Sequence, residues 1–206
     1  MEINSKKELL FCIKADWMMN KGKFCPSLSD RLKNLLYPDY RMMYLYAMRK
    51  ATFYKTVRGV SRFLFFYWYR KYLLLGIRLG YTIPLGTIGY GVVIPHHGTI
   101  VIGSSNHIGN YAVLHTSTCI SGNGKQIGNG LYLSTGAKMT SQLVLGDNVS
   151  VGANSLVNKS FPDGNVMIAG APAKIIKPAQ AWYVRDGFTD RIESIEKLKI
   201  EMNINL

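Results

Sequence analysis

Between Ile88 and Val157 aliphatic side chains return every six residues: Ile88, Ile94 and Ile100, then after a slip of two Ile108, Leu114 and Ile120. After a slip of one, the run continues unbroken through Ile127, Leu133, Met139, Leu145, Val151 and Val157. A period of six fits neither an amphipathic helix nor a half-buried hairpin. It fits a solenoid in which each hexad is a short strand plus a turn, and three hexads close one triangular coil. The aliphatic residue points inward, where burial is worth roughly 1.5–3 kcal/mol per side chain, so the register is strongly specified. Gly89, Gly109, Gly128, Gly146 and Gly152 directly follow inward positions. There a side chain would crowd the corner, or φ must be positive. Four coils are predicted, near residues 88–105, 108–125, 127–144 and 145–162.

Helical patterns flank the repeat. Ser5-Lys6-Lys7-Glu8 reads as a capping box opening a helix with Leu9, Leu10, Ile13 and Trp17 on one side, ended by Gly22 and Pro26. A short helix follows over Asp30 to Leu36. Pro38 and Asp39 open a longer one carrying Met43, Tyr44, Ala47, Ala51 and Tyr54 and stopping near Gly59. The next runs from Val60 to Leu75, with Gly76 and Gly80 marking the exit into extended chain, and Tyr81 to Pro84 leads into the first coil. Beyond the coils, Phe161 to Asn165 forms a turn and Val166 to Ile176 a last partial rung. Thr189 to Met202 is a terminal helix whose narrow stripe of Ile192, Ile195, Leu198 and Met202 is expected to pack on a neighbouring element or subunit. The chain thus divides into an α-helical N-terminal region (1–80), a β-solenoid (81–177) and a helical C-terminal tail (178–206).

Composition narrows the setting. The 206 residues have room for one such solenoid with helical flanks. Cys12, Cys25 and Cys119 are an odd number at no metal-ligand spacing, as expected of reduced thiols in a cytoplasmic protein. Lys6, Lys7, Lys14 and Asp16 interrupt the early apolar residues, which argues against a signal peptide. The run from Phe63 to Tyr69 falls far short of the roughly 20 residues of a membrane-spanning helix. Most of the net charge of +13 sits in residues 1–78, which hold 16 Lys and Arg against five acidic residues. A basic, aromatic-rich segment suits a solvated helix face first, and peripheral contact with the inner face of a membrane second. No nucleic-acid-binding module is recognisable, so no nucleic-acid partner is expected.

All four histidines lie within twenty residues. His96 is the third residue of the hexad at Ile94, and His115 the second of the hexad at Leu114. Stacked coils should bring them one strand spacing apart, roughly 4.8 Å in the backbone. His97 is turned differently, although a one-residue shift of register would exchange it with His96, and His107 sits in the slip before Ile108. No carboxylate occurs between Asp39 and Asp147 to join a zinc site, so no metal is expected. Imidazole titrates near pH 6.5, and its neutral form accepts a hydroxyl proton at pH 7. That suits acyl transfer from a thioester to an alcohol.

The segment Ile94-Pro95-His96-His97-Gly98-Thr99-Ile100-Val101-Ile102-Gly103 resembles the catalytic histidine segment of the serine acetyltransferases, a branch of the hexapeptide-repeat acyltransferases. Ile168-Ala169-Gly170-Ala171-Pro172-Ala173-Lys174-Ile175-Ile176 is similar to that family's closing motif, which lines the coenzyme A channel. Tyr37-Pro38-Asp39-Tyr40-Arg41 and the basic aromatic helices after it resemble a sub-branch found in surface-polysaccharide gene sets. The resemblance covers about residues 37–177. It implies a mainly β fold, a left-handed parallel β-helix of about four coils with an α-helical N-terminal region and a C-terminal helix. It also implies acetyl-CoA as acyl donor, direct transfer without an acyl-enzyme, and a homotrimer with the active site between adjacent subunits. Carried over by position, His96 is the general base. Gly136, Ala137, Gly152, Ala153, Ala171 and Lys174 fall where small corners admit the pantetheine arm and a cation meets phosphate.

Two departures bear on the acceptor. The family orients its catalytic histidine with an aspartate before the first coil, where this chain has Tyr81. It also places a second, serine-holding histidine in a longer loop, where this chain has only Ser121-Gly122-Asn123-Gly124-Lys125-Gln126. His115 is the substitute from the neighbouring coil, either orienting His96 or contacting the acceptor. The expected acceptor is therefore a small-molecule or lipid-linked sugar in surface-polysaccharide biosynthesis, with L-serine, for cysteine synthesis, as the alternative.

Overall fold

The computed structural model describes residues 1–56, 62–122 and 124–206. Each hexad becomes a strand of two or three residues followed by a corner, and the strands stack in parallel on three faces. The first face stacks Tyr81–Thr82, Ile100–Ile102, Thr118–Ile120, Lys138–Met139 and Leu156–Val157. The second stacks Ile88, His107–Ile108, Gln126–Ile127, Val144–Leu145 and Phe161. The third stacks Val93, Val113–Leu114, Tyr132–Leu133, Ser150–Val151 and Val166–Gly170. All twelve aliphatics of the repeat are buried, none more than 6% exposed. The corner glycines serve close stacking: a Cβ on Gly109 would lie 2.7 Å from the carbonyl carbon of Gly128 in the coil beneath.

The prism has about five turns rather than four. Tyr81–Thr82, expected as a lead-in, pairs with Ile100–Val101 and is a rung of its own. At the far end only Val166–Gly170 continues the stack. Ala173–Pro178 then folds back antiparallel against it, covering the open sheet edge. The slip of two is also taken up at a definite place. Val93 pairs with Val113 and Ile100 with Thr118, so the turn Pro95 to Thr99 is two residues longer than the turn His115 to Ser117 below it. His96 and His97 ride on that bulge.

Among the described residues six helices flank the prism: α1 (Lys6–Lys21), α2 (Leu28–Leu36), α3 (Tyr40–Thr56), α4 (Arg62–Leu79), α5 (Trp182–Arg185) and α6 (Thr189–Glu201). Ser5 caps α1 by accepting the Glu8 N–H at 3.1 Å, while the Glu8 carboxylate accepts the N–H of Asn4. The expected helix end near Gly59 and start at Val60 lie outside the described residues. Gly76 does not end α4, which runs on to Leu79. A Cβ at Gly76 would lie 2.8 Å from the Tyr81 carbonyl oxygen, so glycine here lets the helix press against the first rung. Ile195 of α6 is fully buried, and α6 packs on α1 as its apolar stripe requires. The Glu196 carboxylate accepts the Tyr90 hydroxyl at 3.1 Å, and the Trp182 indole donates to the Tyr111 carbonyl at 2.8 Å, which fastens the C-terminal tail to the coils. Among the described residues no helix is long and apolar enough to cross a membrane.

Candidate active site

One edge of the prism, between its third and first faces, carries nearly every residue singled out from the sequence. From the first coil to the last, its turns are Pro95 to Thr99, His115 to Ser117, Ser134 to Ala137, Gly152 to Ser155 and Gly170 to Pro172. Hydrogen bonds knit these turns together. The Gly136 N–H donates to the Thr116 carbonyl at 3.1 Å, the Asn154 N–H to the Thr135 carbonyl at 2.9 Å, and the Gly170 N–H to the Ser155 hydroxyl at 3.1 Å. With about 4.8 Å per coil, the first and last turns are roughly 20 Å apart.

At the first turn His96 is exposed and its ring faces His115, centroid to centroid 6.4 Å with the planes 42° apart. His96 sits on the bulged turn, two residues longer than the turn that carries His115. His97 is exposed beside it, and the pairing with His115 belongs to His96. His107 lies exposed on the second face, away from this edge. The helical region holds the backbone of the His96 turn. The Tyr81 hydroxyl donates to the His96 carbonyl at 2.7 Å, and Arg41 of α3 donates to the carbonyls of Ile94, at 3.3 Å, and Pro95. Tyr81 thus steadies the main chain under His96, where the family's aspartate would orient the ring.

His115, half-buried, has its own partners. Its Nε2 lies 2.9 Å from the Tyr132 hydroxyl. Tyr132 carries the Arg185 guanidinium 4.5 Å above its ring, and Arg185 grips Asp186 through two bonds of 2.7 and 2.9 Å. Burial lowers the His115 pKa from its ordinary value, the His96 charge lowers it further, and Asp186 opposes both. His115 is therefore neutral at pH 7, a hydrogen-bonding neighbour rather than a cation. Tyr132, Arg185 and Asp186 were not foreseen. Tyr132 pairs with Val113, so the coil register already put it one rung from His115; Arg185 and Asp186 enter from the tail, where no periodicity points.

Along the rest of the edge the predicted donor positions differ in kind. Gly136 has φ +76°, and a Cβ there would come 2.0 Å from the Asn154 Oδ1. Ala137 is fully buried, its methyl turned in among the core aliphatics at this corner. Gly152 stands under Ala169, whose Cβ would be 2.8 Å from a Cβ at 152. Ala153 and Ala171 are exposed, and exposed Lys174 lies on the closing hairpin opposite Ala169. Ser121, Gly122 and Lys125, after Ile120, lie at a different edge, between the first and second faces. Lys125, wholly buried, pins this corner by donating to the Ser121 carbonyl at 2.8 Å and the Ser121 hydroxyl at 3.1 Å. Among the described residues no group of three His, Cys, Asp or Glu side chains is placed to hold a metal ion.

No protein-family model matches the chain. The serine acetyltransferase of Helicobacter pylori strain J99 is 31% identical over 153 residues, covering 69% of this chain and 83% of that protein. A solved serine acetyltransferase in complex with CoA superposes with a TM-score of 0.61 at 16% identity, over 83% of this chain and 71% of its own. The Neisseria gonorrhoeae serine acetyltransferase in complex with serine gives 0.58 at 20% identity, over 84% and 71%. These structural likenesses show the left-handed β-helix. Together with the sequence likeness over most of the Helicobacter protein's length, they establish that this chain is an acyltransferase belonging to the serine acetyltransferase family.

Proposed function

We propose that this chain is an acetyl-CoA-dependent O-acetyltransferase in which His96 is the general base and L-serine the acceptor. The neutral His96 imidazole takes the proton of the acceptor hydroxyl as that oxygen attacks the thioester carbonyl. A carbon–oxygen bond forms, the carbon–sulfur bond breaks, and the departing coenzyme A sulfur recovers the proton from His96. The observation that carries this reading is the paired His96 and His115 at one end of an edge whose other end holds Lys174. An extended thioester laid along the edge places its sulfur by His96, its arm across Gly136, Gly152, Ala153 and Ala171, and its phosphates near the Lys174 ammonium. His96 is exposed in the single chain. A neighbouring subunit of a homotrimer supplies the second wall that excludes water. Serine as acceptor is supported by the relatives, which are serine acetyltransferases.

A second reading has a specific observation behind it. Free serine carries an ammonium that needs a counter-charge, yet no carboxylate occurs between Asp39 and Asp147, and Asp186 is taken up by Arg185. An uncharged sugar hydroxyl, as in a surface-polysaccharide precursor, makes no such demand. Thiol release from acetyl-CoA by the purified protein, with L-serine and with a panel of sugars, separates the two. Turnover with serine alone supports the first reading, and turnover with a sugar but not serine the second. His96→Gln should lower either by about 10²–10⁴-fold. A His96→Gln protein of unchanged activity would remove the mechanism altogether.

A further inference from the structure

Helix α2 is turned inside out. Leu28, Leu32, Leu35 and Leu36 share one side at helical spacing, yet they are 75%, 61%, 80% and 75% exposed, with Tyr37 beside them at 83%. The opposite, polar side (Asp30, Arg31, Lys33, Asn34) faces the body across a cavity of about 650 Å³ that also reaches Trp17 of α1 and Lys71 of α4. No residue of α2 is buried. The helix is nonetheless firmly specified by a complete capping box: the Ser27 hydroxyl accepts the Asp30 N–H at 3.2 Å, and the Asp30 carboxylate accepts the Ser27 N–H at 2.7 Å. A nine-residue helix is marginal in water without packing, so an apolar side pointed outward calls for a partner. A second exposed stripe runs along α4, where Phe63, Phe66 and Ile77 are 85%, 60% and 79% exposed among Arg62, Arg70 and Arg78.

We propose that α2, together with the exposed stripe of α4, docks the protein on the surface of an anionic lipid bilayer. Charge selects this occupant. Residues 1–78 hold 16 Lys and Arg against five acidic residues, so a second copy presenting the same surface would set like charges face to face. Anionic headgroups supply the complement. The leucines enter the boundary of the acyl region while exposed Arg62 and Arg70, beside the α4 stripe, bury their stems and keep their charges at headgroup level. The α4 end of this surface adjoins the His96 turn, where the Gly98 N–H donates to the Leu79 carbonyl at 2.9 Å, while the α2 leucines belong to no part of the proposed chemistry, and the proposal stands whichever acceptor the enzyme uses.

The test is flotation of the full chain with vesicles of phosphatidylcholine alone and of phosphatidylcholine mixed with phosphatidylglycerol, at low and high salt. Particle mass is measured by light scattering alongside. The chain should float with the mixed vesicles, much less with the neutral ones, and lose binding as salt screens the charges. Leu32→Ser/Leu35→Ser should reduce the bound fraction about tenfold while leaving the thermal transition, thiol release and particle mass unchanged. Three results would overturn the proposal: no binding to anionic vesicles at low salt, equal binding by the double variant, or a double variant whose particle mass falls. The last would mean that a second copy covers the leucines.

Discussion

The electrostatics of His115, the imidazole beside His96, are open to measurement. Three influences act on the His115 imidazole: burial and His96 disfavour its charged form, and Asp186 favours it. Removing the carboxylate in Asp186→Asn should move the His115 titration to lower pH, and removing the neighbouring imidazole in His96→Gln should move it to higher pH. Histidine resonances followed by NMR across pH 4 to 9, roughly the range in which imidazole titrates, report both midpoints. Shifts in the same direction, or none, would show that the tail does not reach the site. A histidine whose folded pKa lies below its unfolded value also makes stability pH-dependent. The unfolded chain takes up its proton first, so this contribution is whole above about pH 6.5 and declines as pH falls below it. Tyr132→Phe should cost about 1 kcal/mol, since it removes one hydrogen bond and leaves the ring in place. A fall in turnover without a shift in the acceptor KM would identify Tyr132 as a positioning residue.

At the scale of elements, the contact between α4 and the first rung links the helical region to the active site. Gly76→Ala puts a Cβ 2.8 Å from the Tyr81 carbonyl oxygen, a backbone atom that yields only if the helix or the rung moves. Overpacking of this kind costs about 1–3 kcal/mol, more than the ~1 kcal/mol that alanine returns in helix propensity. Because Tyr81 also holds the His96 carbonyl, the variant should lose activity as well as urea resistance. Unchanged turnover would mean that the His96 turn holds itself. The same contact marks a limit of sequence reading. Gly76 reads as a breaker, but it sits mid-helix because its partner is a carbonyl far along the fold, which local propensity does not register. The hexads were legible because each buries one side chain at a fixed interval. The extra rung at Tyr81–Thr82 was not, since two residues carry no period. His96 and His115 were legible as outward positions on neighbouring coils. The bulge that separates them was not, because the period shows a slip without showing which corner absorbs it. Asp186 was invisible: its place depends on the docking of the tail through Trp182 rather than on the repeat.

Across the whole molecule, helices and prism are joined by a buried ion pair, and that junction predicts how the protein unfolds. Arg49 of α3 donates to the Asp16 carboxylate of α1 at 2.8 and 3.1 Å and to the carbonyls of Ile88 and Gly89 at 3.2 and 2.6 Å. Asp16 in turn accepts the Val92 N–H at 3.2 Å, and both side chains are only 2% exposed. Two helices and the first coil therefore share one charged pair, fully hydrogen-bonded and shut away from water. Removing one partner leaves the other charge buried without compensation, at a cost of about 3–5 kcal/mol. Arg49→Met should lower stability by that amount in urea unfolding, and adding Asp16→Leu should restore part of the loss, because the stranded carboxylate is the larger penalty. Activity should follow stability in these variants, since α3 also carries the Arg41 that holds the Pro95 carbonyl next to His96. The wild type should accordingly unfold in one transition, with helical and sheet signals lost together. A wild type that shed its helices at lower urea than its coils, with acetyl transfer intact in between, would show that the prism alone holds the site.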